Sequence, residues 1–119
     1  MRVLDWQLRR FEPQMEDELV ERLMRRELAL FPDRCGGMGD EALRYLVRRA
    51  FAQARAHGLV SERDVGSYVD LTVLFGVGFD EPPAIAAIFT TPDRLAVERV
   101  DAVYELLGDP PEPPPANAR

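Results

Sequence analysis

Residues 40–57, DEALRYLVRRAFAQARAH, carry the clearest helical pattern in this chain and indicate its fold. Their apolar side chains recur three and four positions apart, which aligns them along one face of an α-helix. Asp40 is a suitable N-cap, and Gly58 is typical of the position just past a helix end. The pattern predicts a helix from Asp40 to about His57. Its predicted inner face is Leu43, Leu46, Val47, Ala50, Phe51 and Ala54.

A preceding helix is predicted from about Pro13, because proline suits the first helical turn and acidic residues 16–18 favour the positive end of the helix dipole. It should end near Phe31 and Pro32. Three glycines within residues 32–39 then predict a loop. The predicted inner face of this helix is Leu19, Val20, Leu23, Met24, Leu30 and Phe31.

A third helix is predicted after Ser61, which opens a sequence close to a capping box. Its side chains are apolar around most of the circumference as far as Phe75. Only a strip formed by Gly66, Ser67 and Asp70 interrupts them. We therefore expect this helix to lie at the centre of the fold.

The rest of the chain predicts one more long helix. Residues 76–83 predict an irregular connection, followed by a short helical turn from Ala84 to Phe89. Thr91 followed by proline predicts the start of the last helix, which Gly108 ends. The predicted inner face of the last helix is Ala96, Val100, Val103, Tyr104 and Leu107.

Together these elements predict an all-α domain, a small bundle of about four main helices over residues 1–108, with a short N-terminal arm. Residues 109–119 contain five prolines without apolar periodicity, which predicts a disordered, Pro-rich tail. A chain of 119 residues has room for one domain, and its 46% hydrophobic and 30% charged content is typical of globular proteins.

The charge distribution disfavours nucleic acid as a partner. All 15 basic residues are arginine, and the net charge is −6. Residues 61–119 carry 4 arginines against 11 acidic residues. A protein that binds the phosphate backbone needs a basic surface to release counterions, and this chain does not predict one.

The single cysteine, Cys35, excludes a disulfide within the chain and a zinc site built from several cysteines. A lone thiol is typical of the reducing cytoplasm, which we take as the expected location. Charged residues interrupt the N-terminal segment where a signal peptide needs an apolar run, and no stretch is apolar enough to span a membrane. We expect no membrane partner.

No catalytic, metal-binding or cofactor-binding motif is evident. His57 is the only histidine and falls at a helix end, where a structural role is expected. Neither serine nor Cys35 has the surroundings of a hydrolase nucleophile. The glycines of residues 36–39 lack the lysine of a phosphate loop. We therefore predict a protein that is not an enzyme and carries no cofactor.

Acidic residues leave one catalytic alternative open. Asp64, Asp70, Asp80 and Glu81 match no known spacing, yet paired carboxylates serve both metal binding and acid–base chemistry. Asp64 is explained as a helix N-terminal residue and Asp70 as part of the polar strip. The alternative function is a small enzyme that uses the acidic residues around Asp64–Asp80.

Two surfaces are candidates for binding another protein. Arg44, Arg48 and Arg55 form a stripe beside the predicted apolar face, either as a solvated edge paired with acids of the same chain or as a docking site for an acidic partner. In the loop after Phe75, Phe79 either anchors the loop to the core or acts as an interface anchor. The predicted partner-binding residues are Arg44, Arg48, Arg55, Phe79, Asp80 and Glu81.

Residues 57–80 carry a resemblance. The pattern HGL at 57–59, SERDV at 61–65, YVDL at 68–71 and FGVGFD at 75–80 resembles small bacterial helical proteins encoded near type VI secretion spike and effector genes. The resemblance implies an accessory role without catalysis: an effector adaptor or chaperone, or an immunity protein. Its partner would be another protein, such as an effector, a toxin or a spike component.

Overall fold

The computed structural model describes residues 13–113, with side chains from residue 15 onward, and all regular structure within them is helical. This confirms the all-α class. The predicted N-terminal arm and the last six residues of the tail lie outside the described residues. The helices are α1 Pro13–Leu30, α2 Pro32–Cys35, α3 Asp40–Ala56, α4 Glu62–Phe75, α5 Pro83–Thr90 and α6 Ala96–Leu107.

The signals that predicted α4 and the end of α3 act as expected. The backbone N–H of Asp64 donates to Ser61 Oγ at 3.0 Å, so Ser61 is the N-cap of α4. Gly58 follows α3 with a φ of +88°, a conformation that glycine adopts without steric cost. The predicted cap of α3 is wrong by one position: Gly39 is the N-cap, and Asp40 is the first helical residue.

The predicted loop after α1 contains the short helix α2. Pro32 opens it, since its fixed φ suits a first helical turn, and the Phe31 carbonyl accepts from the N–H groups of Arg34 and Cys35 at 3.1 and 2.9 Å. The turn buries the Cys35 side chain, which is 2% exposed. Burial raises the pKa of this thiol to about 11, so the cysteine is an unreactive core residue.

The last helix begins later than predicted. Thr91 ends α5, because its hydroxyl donates to the Ala87 carbonyl at 2.6 Å. Asp93 has a φ of +63°, which is incompatible with a right-handed helix. The N-terminus of α6 instead uses Glu98, whose carboxylate accepts from the Leu95 N–H at 3.0 Å.

Helix α4 lies against α1, α2, α3 and α6, as its apolar circumference predicted. The predicted polar strip is the exception, because Gly66 and Ser67 are buried. The Arg26 side chain crosses α4 at Gly66, and a Cβ there would lie 3.2 Å from Arg26 Cζ. Within residues 13–113, no helix has both the length and the apolar character needed to cross a bilayer.

Candidate functional site

The acidic residues considered as catalytic candidates lie in different places. Asp64 pairs with the buried Arg99 at 3.3 Å. Asp70 accepts from Arg26 at 2.7 and 3.1 Å in a two-pronged contact. Asp80 forms no hydrogen bond with Asp64 or Asp70. Among the described residues, no group of three or more histidine, cysteine or acidic side chains is placed to hold a metal ion.

Asp80 is the centre of a buried hydrogen-bonded group, which we call the Asp80 cluster: His57, Tyr68 and Asp80. The ring Nε2 of His57 and the hydroxyl of Tyr68 both lie 2.6 Å from the same oxygen, Asp80 Oδ2. His57 sits at the C-cap of α3, Tyr68 in the middle of α4, and Asp80 in the loop after α4. The cluster therefore ties three segments together.

Electrostatics keep Asp80 ionised inside the protein. Burial acts to raise the pKa of Asp80, but the hydrogen bonds from Tyr68 and His57 together outweigh it, so the pKa lies below its ordinary value. The Tyr68 hydroxyl shows the opposite effect, because burial and the nearby Asp80 charge both raise its pKa. Tyr68 is thus a neutral donor to a charged acceptor.

Aromatic rings enclose the Asp80 cluster. The Phe89 ring lies 5.4 Å from the His57 ring and 5.1 Å from the Tyr68 ring, centre to centre. Phe79 packs on Tyr68 at 5.2 Å. In the described part of the chain, His57 forms no hydrogen bond to a serine, threonine or cysteine, the contact that nucleophile activation by a histidine uses.

A cleft of about 160 Å³ lies between α3 and the loop after α4. Gly78 forms part of its wall with a φ of +89°, and a Cβ at this position would lie 3.2 Å from Glu81 Oε2. Glycine therefore lets the Glu81 carboxylate lie against the loop backbone. The residues lining the cleft are Arg49, Ala50, Gln53, Tyr68, Thr72, Val77, Gly78, Asp80 and Glu81.

The predicted arginine stripe faces α1. Arg44 contacts Glu21 and also pairs with Asp40 at 3.0 Å. Arg48 and Arg55 both lie within ion-pair distance of Glu16, at 3.6 and 3.8 Å. These contacts match the alternative in which the stripe pairs with acids of the same chain. Its role in docking a partner stays a prediction.

The loop residues predicted to bind a partner are divided between core and surface. Phe79 is 8% exposed and packs among aromatic rings, as expected of a core anchor. Asp80 is 4% exposed within its cluster. Only Glu81 of this group lies on the exposed surface.

Another arginine of α3, Arg49, was not among the predicted site residues. Its Nη1 donates to the Tyr45 hydroxyl at 3.0 Å, and its guanidinium carbon lies 5.8 Å from the centre of that ring. Within residues 13–113 it pairs with no carboxylate. Tyr45 is 63% exposed, and Val77 across the cleft is 51% exposed. We call this surface the Arg49 face: Tyr45, Arg49, Gln53, Val77 and Glu81.

The signal for this surface was present in the sequence. Tyr45 and Arg49 are four positions apart and so share one side of a helix. That side lies away from the apolar stripe of α3, which faces the core. What the sequence did not show is that Val77 and Glu81 meet this side of α3 across a cleft.

No protein-family model, curated protein or solved structure matches the chain. Its function is therefore inferred from the contacts that its own residues make. The two features that carry this inference are the enclosed Asp80 cluster and the exposed Arg49 face.

Proposed function

We propose that this protein is a non-catalytic protein-binding module, an accessory of a bacterial type VI secretion or toxin locus. It would act as an effector adaptor or chaperone, or as an immunity protein. The single observation that carries the binding role is the Arg49 face, where an arginine and an exposed apolar side chain border a cleft and an exposed tyrosine lies against the arginine. The choice of locus rests on the resemblance of residues 57–80.

The composition of the Arg49 face supports binding to a protein. Tyrosine and arginine are enriched at interface positions that contribute most to affinity. Arg49 rests against Tyr45, so less conformational freedom is lost when a partner contacts the pair. Val77 supplies apolar area beside them, and the cleft supplies a concave surface for a partner side chain.

The internal contacts of the acidic residues argue against catalysis. A general acid or base must reach a proton on a bound substrate. Asp64 and Asp70 form ion pairs with arginines. Asp80 accepts two hydrogen bonds and is surrounded by aromatic rings. These carboxylates stabilise the fold where they are.

Co-purification with the products of neighbouring genes tests the proposed function. The tagged chain is co-expressed with each neighbour-encoded protein, and each complex is measured by calorimetry. We expect one neighbour to bind, and a growth assay with that neighbour separates an immunity protein, which restores growth, from an adaptor, which does not. Absence of binding to every neighbour-encoded effector, toxin and spike protein would contradict the proposal.

A small enzyme is the second candidate, favoured by one observation. Asp80, Glu81 and Tyr68 line the same cleft. Of these, Glu81 forms no ion pair or side-chain hydrogen bond within the described residues, so its carboxylate is open to a ligand there. If the cleft is catalytic, the wild type should consume a component of a metabolite mixture followed by NMR, and the Glu81→Gln variant should not. Equal, unchanged spectra for both would exclude this candidate for the compounds supplied.

A further inference from the structure

We infer that the Arg49 face binds an extended segment of the partner protein in which an acidic residue contacts Arg49 and an adjacent uncharged side chain enters the cleft. This inference rests on the proposed function and specifies the chemistry of the partner. It follows from the charge of Arg49, the geometry of its guanidinium and the charges inside the cleft.

Among the arginines of α3, Arg49 alone has no carboxylate within ion-pair distance in residues 13–113. Arg44, Arg48 and Arg55 have carboxylates within ion-pair distance, supplied mainly by α1. Arg49 lies on another side of the helix, and in the described residues it has only Tyr45 as a side-chain hydrogen-bond partner. A carboxylate from a second protein would complete the pairing that α1 provides for the other three.

The guanidinium of Arg49 keeps two donors for a two-pronged contact, because its Nε and Nη2 form no hydrogen bond within the described residues. Its Nη1 donates to the Tyr45 hydroxyl at 3.0 Å, and its Cζ lies over the Tyr45 ring, 5.8 Å from the ring centre. The donors on Nε and Nη2 then point in a fixed fork, which matches the two oxygens of a carboxylate. Tyr45 is a positioning residue in this arrangement.

Charges inside the cleft determine the register of the bound segment. The carboxylates of Asp80 and Glu81 line the cleft and repel a second acidic side chain there. The acidic residue of the partner therefore contacts Arg49 on the α3 side of the cleft, opposite the loop that carries Asp80 and Glu81. An uncharged side chain fills the cleft against Val77, and Glu81 can accept a backbone N–H of the same segment.

A phage-displayed library of random peptides, selected on the immobilised protein, tests this chemistry. We expect enriched peptides to carry aspartate or glutamate next to an uncharged residue. The consensus peptide is then synthesised with a matched version in which asparagine or glutamine replaces the acid, and both are measured by fluorescence anisotropy. The acidic peptide should bind at least about tenfold more tightly, which corresponds to about 1.4 kcal/mol.

Protein variants locate the contact. Arg49→Gln should weaken the acidic peptide about tenfold and leave the amide peptide unchanged. Arg63→Gln is the matched control, because Arg63 is also exposed and has no carboxylate partner among the described residues. Tyr45→Phe keeps the ring but removes the hydroxyl and should give a smaller loss. Melting temperatures verify that each variant is folded.

Several results would overturn the inference. One is that no peptide is enriched over a selection without the protein. Another is that basic peptides are enriched and bind through Glu81. A third is that Arg49→Gln and Arg63→Gln change the affinity for the acidic peptide equally. A neighbour-encoded partner that binds Arg49→Gln as tightly as wild type would overturn it and leave the proposed function intact. Acidic peptides that depend on Arg49, with no neighbour-encoded partner, would support the inference and contradict the proposed locus.

Discussion

Two buried carboxyl groups beside α4, those of Asp80 and Glu27, have opposite chemistry. Asp80 is 4% exposed and Glu27 is fully buried. Asp80 accepts two hydrogen bonds of 2.6 Å, whereas neither oxygen of Glu27 accepts one in the described part of the chain. The pKa of Asp80 is lowered, and that of Glu27 is raised to about 10. Donors, more than burial, decide which carboxyl group is charged.

Arg26 explains why Glu27 lacks a donor. The Arg26 Nε lies 3.7 Å from Glu27 Oε2, but its Nε and Nη2 are committed to Asp70. Burial raises the pKa of Glu27, and the neighbouring Asp70 carboxylate raises it further. Glu27 is therefore a neutral carboxylic acid at pH 7, while Asp80 is a charged acceptor.

The largest effect is expected from Asp80→Ala, which removes the acceptor shared by two buried donors. Leaving Tyr68 and His57 without it should lower the free energy of unfolding by about 3–5 kcal/mol, as measured by urea denaturation. The exposed neighbour Glu81 provides the control, since Glu81→Ala should change it by less than about 0.5 kcal/mol. Similar losses in the free energy of unfolding for both variants would show that the hydrogen bonds to Asp80 do not stabilise the fold.

Glu27→Gln should change the free energy of unfolding in the opposite direction and raise it. Because the folded pKa of about 10 exceeds the ordinary value of 4.5, Glu27 reduces wild-type stability progressively as pH rises from about 4.5 toward 10. A neutral glutamine does not ionise, so its advantage should grow with pH above about 4.5, by up to about 1.4 kcal/mol per pH unit. Urea denaturation at several pH values measures this difference.

The exposed Glu18 of the same helix supplies the matched control for that series. Glu18→Gln should show no comparable growth of stability between pH 5 and about pH 9. A constant difference between Glu27→Gln and wild type over this range would show that Glu27 does not hold a proton in the folded state.

Tyr68→Phe examines one of the two donors to Asp80. Losing a hydrogen bond to a charged group should cost about 1.5–3 kcal/mol at pH 7. Because the pKa of Asp80 is lowered, its stabilisation is present above the ordinary value of 3.8 and is lost as pH falls through the folded value. The difference between Tyr68→Phe and wild type should therefore shrink in acid. A difference independent of pH would assign the loss to packing.

The smallest effect is expected at the surface. Arg22 donates to Glu62 through two hydrogen bonds of 3.1 Å, but both side chains are at least half exposed. Solvent screens such a pair, so Arg22→Gln should change the free energy of unfolding by less than about 0.5 kcal/mol. A loss as large as that of Tyr68→Phe would show that an exposed ion pair stabilises this protein as much as a buried hydrogen bond does.

Much of the helical fold was predictable because its signals are local. The three-and-four spacing of α3, the cap at Ser61 and the glycine after α3 act within a few residues of the helices they define. The predicted start of α6 was wrong for a related reason. The Thr91-Pro92 pair is an equally good local signal for the start of a helix, but the positive φ of Asp93 prevents a helix from beginning there.

The candidate site was less predictable, because its contacts join distant parts of the chain. Glu27 lies three and four positions after Met24 and Leu23, on the apolar face of α1, and a polar residue on that face was the one sequence signal for it. Whether it carries a charge depends on Arg26 being taken by Asp70, 44 positions later. In the same way, packing of α1 against α3 neutralises Arg48 and leaves Arg49 to solvent. The sequence by itself determined where most helices lie, since hydrogen bonds and caps within a helix are local. Tertiary structure alone decided which buried acid is charged and which arginines of α3 meet a carboxylate of the described residues, since a side chain's charge state depends on the donors, acceptors and water that packing brings to it.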